Sequence, residues 1–343
     1  MQKLFILGTG FSKAVSESMH TGCVVPTMKE LGEHVKNRIH ELPELPSDPG
    51  VYESLVSDPN NVEDLLTYTY GAMPWQLPHE LHLHKSAFLI LSDIIAEYIT
   101  ECEENVFCAE SPEWAKKFVQ YLHDEKATVA TFNYDTVLER ISLKTLEAAR
   151  ITDVGDFYRS PIMDLIYRDG KGRFSPASHE TYRLLKLHGS INWYFPGDEN
   201  APGQQVYYSN ELLRGEAARP KHVATLNRNK IDLVHLIVPP VAEKSLFYNT
   251  GLLRALWRGF LEAVQTCDEV YCVGYSLPIT DLSTRAFFST VMNRPDKTVY
   301  LVNLKGGSRE LVPSYRRALP NCQLITDYIS DCGPIESMVA DLE

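Results

Sequence analysis

The stretch Lys3-Leu-Phe-Ile-Leu-Gly8-Thr9-Gly10-Phe11-Ser12 carries an apolar strand straight into two glycines and then into a serine able to open a helix. Glycines at 8 and 10 let the backbone turn sharply and bring its N–H groups close to a pyrophosphate, whose charge the following helix N-terminus favours. Lys13 stands where the third glycine of a G-x-G-x-x-G fingerprint would fall. Taken alone, the segment fits either a dinucleotide cradle or an ordinary buried strand-to-helix turn, and the surrounding chain has to separate the two.

Working outward, 343 residues with 44% hydrophobic and 23% charged content suffice for one large α/β unit with insertions, or for two closely joined lobes. A formal net charge of −12 argues against direct nucleic-acid binding, which rests on clustered Lys and Arg neutralising phosphates. The first apolar run is too short for a signal peptide and no apolar stretch reaches membrane-spanning length, so the chain reads as cytoplasmic, with no membrane partner. The cysteines, 7 in number, include no C-x-x-C pair and read as reduced packing residues. His79, His82 and His84 could bring two imidazoles onto one helical face, but no ligand set is completed around them, and no metal is expected.

Thr27 and Glu30 form a capping-box pattern, followed by Met28, Leu31, Val35 and Ile39 on one helical face. Prolines 43, 46 and 49 interrupt it. Residues 61–64 then open a helix that Gly71 closes, and apolar positions keep helical spacing over about 83–104. Ser111-Pro112 starts a helix bearing Trp114, Phe118 and Leu122. Residues 40–112 therefore read as a helical insertion within a single domain spanning 1–343. Strands are expected at 127–133, 182–188, 235–238, 269–274, 298–303 and 322–326, with helices at about 250–266, 280–293 and 309–318. Segments 151–182 and 195–232 read as irregular excursions or a smaller lobe. Strands alternating with helices imply an α/β fold with a Rossmann-like, mostly parallel sheet covered by helices.

In such sheets the ligand lies beyond the carboxyl ends of the strands. What the sequence places there is polar or glycine: Gly8 to Ser12, Thr131-Phe-Asn133-Tyr-Asp135, Leu187-His188-Gly189-Ser190, Gly274-Tyr275-Ser276-Leu277 and Asn303. Taken singly, Asn133 and Asp135 fit helix caps as well as catalytic groups, and a lone histidine fits a structural role.

Together these segments resemble the sirtuin-like NAD-binding family. Gly8-Thr9-Gly10-Phe11-Ser12 is similar to that family's G-A-G-hydrophobic-S loop, Thr131 to Asp135 to T-x-N-x-D, Lys186-Leu187-His188-Gly189 to its H-G segment, and Gly274 to Leu277 to G-T-S-L. The four zinc cysteines of the protein deacylases have no counterpart, their G-I-P-D-F-R segment is reduced to Val25-Pro26-Thr27-Met28-Lys29, and the F-G-E segment has no clear match near Val238-Pro239-Pro240. What is left resembles the bacterial anti-phage NADases with sirtuin-like domains.

That resemblance implies an NAD+ glycohydrolase with NAD as substrate and no metal, acting in anti-phage defence by depleting NAD. Gly8, Thr9, Gly10 and Ser12, with Phe11 in the same loop, would hold the pyrophosphate. Ser276 and Asn303, with Gly274, would meet the adenosine-side phosphate or ribose. Asn133 would orient the ribose or a water, and His188 would act as general base. Asp135 would accept from the nicotinamide amide, support the loop or cap the next helix. Control is expected from outside the chain, through a homo-oligomer or through a HerA-type hexameric ATPase or other phage-sensing partner. A protein deacylase or ADP-ribosyltransferase is the alternative that the missing zinc ligands oppose. A non-catalytic nucleotide sensor is the one that Asn133 and His188 oppose.

Overall fold

The structure is a computed structural model that describes residues 2–39, 62–70, 74–168, 180–196, 205–210, 213, 227, 229–238, 250–279, 281–306 and 310–342. The first strand, β1 (Lys3–Leu7), leads directly into α1 (Thr9–Ser18), and α2 (Met28–Ile39), α3 (Val62–Tyr70), α4 (Pro78–Val106) and α5 (Glu113–Asp124) follow before β2 (Thr128–Thr131). Next come α6 (Val137–Thr145), β3 (Met163–Asp164), β4 (Arg183–Lys186), β5 (Gly189–Pro196), β6 (Tyr207–Tyr208) and β7 (Leu233–Ile237). The chain closes with α7 (Gly251–Thr266), β8 (Glu269–Val273), α8 (Leu282–Phe287), β9 (Thr298–Leu304), α9 (Leu311–Ala318), β10 (Gln323–Ile325), β11 (Ile329–Ser330) and α10 (Pro334–Leu342).

The main sheet runs β10-β9-β8-β1-β2-β4, with β11 also paired to β9, and every pairing is parallel. From β1 the chain moves outward through β2 to β4, then crosses back and moves the other way through β8, β9 and β10. This is the doubly wound order, and its direction reverses between β1 and β8, where a crevice opens beyond the strand ends. Leu7 is in register with Thr131 on one side and with Val273 on the other, so the loops that begin at Gly8, Phe132 and Gly274 stand side by side. Burial on both faces explains the apolar runs: Leu4, Phe5, Ile6, Val129, Ala130, Val270 and Val273 are fully buried.

One expected strand lies elsewhere. The segment at 235–238 belongs not to the parallel sheet but to a second sheet ordered β3-β6-β5-β7, in which β7 runs antiparallel to β5. Gly189 redirects the chain: at φ +79° it leaves β4 and starts β5, and a Cβ there would stand 2.1 Å from the Leu236 carbonyl oxygen. The segments expected to be irregular contribute the two-residue strands β3 and β6 and a helical turn at Gly155–Tyr158. The expected insertion supplies α3, α4 and the start of its link to α5, while 40–61 and 71–73 lie outside the described residues. Buried Leu91, Ile95, Ala96 and Ile99 seat α4 against the core. Among the described residues no helix is long and apolar enough to cross a membrane.

Candidate active site

The glycines of the first loop are required by another loop. The Gly8 amide donates to Val273 O at 3.0 Å, the Gly10 amide to Gly274 O at 3.0 Å and the Phe11 amide to Gly8 O at 3.0 Å. A Cβ on Gly8 would fall 2.5 Å from both the Gly274 oxygen and the Tyr275 Cα. In this structure those two amides tie β1's loop to β8's loop. The Phe11 side chain is buried and packs edge-on to Trp114, at 6.1 Å between ring centroids, as part of the core. Thr9 is the member of the loop that faces the crevice, with its hydroxyl at the start of α1.

A cavity of about 500 Å3 lies at this switch point, inside the roughly 300–1,000 Å3 span of small-molecule sites. It brings together Thr9, Asn133, Asp135, His188, Gly274 and Ser276. Val25, Pro26, Met28, Leu31 and Ile99 from the α2 segment and α4 supply an apolar wall. Asn303 is not in the lining. It is the penultimate residue of β9, where its own Oδ1 accepts from the Leu304 amide at 2.9 Å and its backbone amide donates to Tyr328 O.

Behind the lining, Ser12 meets Asn133. Asn133 Nδ2 donates to Ser12 Oγ at 3.1 Å, and the Ser12 hydroxyl hydrogen-bonds the Asp135 carboxylate in turn. The Thr131 hydroxyl holds the loop's base, donating to Leu7 O at 3.0 Å and accepting from the Asn133 amide at 3.1 Å. Asp135 Oδ1 also accepts from the Val137 amide at 3.2 Å, so this carboxyl both faces the cavity and holds the first amide of α6, whose N-cap position is Thr136.

Asp135 sits on a buried network of charge. Glu103 receives the Thr136 amide and Arg140 Nε at 2.7 Å, and Glu139 Oε1 receives Lys186 Nζ at 2.8 Å and the Tyr158 hydroxyl at 3.0 Å. Lys186 Nζ also donates to the Asp135 carbonyl. Burial pushes the Asp135 carboxyl up to about 7; Glu103 adds to the rise, and Lys186 and the Ser12 hydroxyl oppose it. The three acidic side chains at 103, 135 and 139 thus share two basic ones at 140 and 186 within one buried network.

His188 follows β4, with its ring edge-on to Phe132 at a centroid distance of 5.0 Å and its carbonyl accepting from the Val238 amide at 2.8 Å. Its Nε2 lies 3.5 Å from Asp281 Oδ2, both side chains being buried. Asp281 was not among the residues singled out from the sequence, although its place three residues before Thr284 is the spacing of a helix cap. Lys186 had a signal too, as a cation inside the apolar run Leu184-Leu-Lys-Leu187. Glu103 had none, since its partners lie 33 and 37 residues away.

No protein-family model matches this chain, nor does any curated protein. Among solved structures, the chain is similar to a Sir2 homologue mutant in complex with 2'-O-acetyl ADP-ribose, at 13% identity over 99% of this chain and 90% of that one, with a TM-score of 0.44. It is similar to a Sir2 homologue in complex with NAD at 12% identity, over 99% and 87% of the two chains, with a TM-score of 0.43. Sir2Tm bound to a propionylated peptide matches at 11% identity, over 99% and 91%, with a TM-score of 0.42.

Proposed function

We propose that this chain is a sirtuin-like NAD+ glycohydrolase that hydrolyses the nicotinamide–ribose bond to give nicotinamide and ADP-ribose. The observation that carries the reading is the meeting of Asn133, Asp135 and His188 in one cavity at the doubly wound switch point, beside the loop that opens α1. Breaking that bond leaves an oxocarbenium-like ribose, so a site has to fix the sugar, seat the leaving ring and deliver water. In this reading the Asn133 amide, held by Ser12, orients the ribose or the water. His188 takes the proton as the water adds. Asp135 supports Asn133 through Ser12 and, where protonated, donates to the nicotinamide amide. Thr9 and Ser276 supply hydroxyl donors toward the phosphates, and the apolar wall seats a flat ring.

A role in anti-phage defence by NAD depletion, with control by self-assembly or by a translocase partner, is the biological setting that the sequence resemblance suggests. Incubating the purified protein with NAD+ and separating nicotinamide and ADP-ribose by chromatography tests the chemistry. Release that needs an acylated peptide would give the site to a deacylase. NAD+ binding without turnover would make it a sensor.

A further inference from the structure

We infer that Asp281 is the positioning residue for His188, holding the imidazole by its Nε2 side and so fixing which ring nitrogen carries the proton. The inference rests on the reading of His188 as the general base and adds a residue to it from a distant part of the chain. Three observations support it. His188 Nε2 faces Asp281 Oδ2 at 3.5 Å, with both side chains almost wholly out of solvent, so water competes little for either. The carboxylate is fixed independently of the histidine: Oδ1 accepts from the Thr284 amide at 3.2 Å and Oδ2 from the Thr284 hydroxyl at 2.6 Å, at the start of α8. The Phe132 ring lies at 62° to the imidazole and restricts its rotation from another side.

Thr284 holds both carboxylate oxygens of Asp281, and a carboxylate oxygen can accept from more than one donor. The separation of 3.5 Å is an ion-pair distance that is long for a hydrogen bond, as catalytic contacts often are before substrate tightens them. A proton on Nε2 directed at Asp281 leaves the basic lone pair on Nδ1, since a neutral imidazole carries only one N–H. Asp281 also lines the cavity, so the positioned ring and its positioner share one wall. Asp281 does not itself exchange the reacting proton.

The test separates the carboxylate's charge from its capping role. Asparagine caps helices about as well as aspartate, so Asp281→Asn keeps α8 while removing the anion. Nitrogen-15 NMR of histidine-labelled protein, with the His188 signals identified by their loss in His188→Gln, is expected to show the Nε2–H tautomer in the native chain and a shifted tautomer balance in Asp281→Asn. Unchanged ring signals would overturn the proposal, whether or not the chain cleaves NAD+. If it does, kcat should fall at least about 10-fold with KM for NAD+ nearly constant, the pattern of lost general-base efficiency. Thr284→Val, which removes one donor to the carboxylate but keeps its charge and the backbone cap bond, should lower turnover less than Asp281→Asn does. Equal losses in both variants would assign Asp281 to the helix start alone. Should Asp281→Asn fail to fold, Asp281→Ser carries the same test, and failure of both would overturn the inference.

Discussion

Gly10 and Gly274 pack backbone against backbone: a Cβ on Gly10 would stand 2.8 Å from the Gly274 Cα, and one on Gly274 would stand 2.3 Å from the Phe11 amide nitrogen. Two loops that end neighbouring strands thus share a contact that leaves no room for a side chain. Gly10→Ala is expected to destabilise the fold by about 1–3 kcal/mol, the usual cost of forcing an atom into a filled space. Gly274→Ala should cost more, because its φ of +61° adds backbone strain to the clash. Denaturant melts with unchanged midpoints would contradict the contact.

The Asp135 carboxyl predicts how stability varies with pH. Its folded pKa of about 7 lies above the ordinary value of 3.8, so between those values the folded state binds more protons than the unfolded one. This group's contribution is fully present below about pH 4 and is lost as pH rises toward 7. Asp135→Asn removes that slope, so the melting temperature of the variant relative to the native chain should climb from about pH 4 to about pH 7. A constant difference across that window would show that the carboxyl is not raised.

Lys186→Met would leave Glu139 buried without its cation, and the expected loss is about 3–5 kcal/mol. Combining it with Glu139→Leu should recover most of that loss, because replacing both members of a buried pair is often close to neutral. Urea melts of the single and double variants measure it. A double variant no more stable than Lys186→Met would mean that the pair does not act as a unit.

Assembly of copies through the helical insertion is proposed on Trp75, Leu77 and Leu83, which are 72, 56 and 41% exposed. Light scattering should then find an oligomer that Trp75→Ser weakens. A monomer at every concentration would end that proposal.

Much of this architecture was legible because its signals are local. The apolar run at Lys3–Leu7 followed by Gly8, and the similar strand-to-loop transitions at Thr131 and Val273, can be read by burial and turn chemistry alone, and they align in the sheet. Asn133 and His188 could be singled out because each stands just past the end of a strand. What was missed depends on pairing between distant segments. That Gly10's amide is spent on Gly274 requires knowing that β1 and β8 are neighbours, and the His188–Asp281 approach joins the end of β4 to the start of α8. The segment at 235–238 looked like another parallel strand because its composition is that of any buried strand. Only the turn at Gly189 sends its partner β5 into a second sheet.

The central claim is that Asn133 and His188 together cleave NAD+, and peptide-free turnover of the native chain beside Asn133→Ala and His188→Ala tests it most directly. Nicotinamide and ADP-ribose should appear in equal amounts with the native chain, and each variant, shown to be folded by circular dichroism, should be slower by at least about 100-fold, the scale of a lost positioned catalytic group. Near-native nicotinamide release from either folded variant would contradict the account.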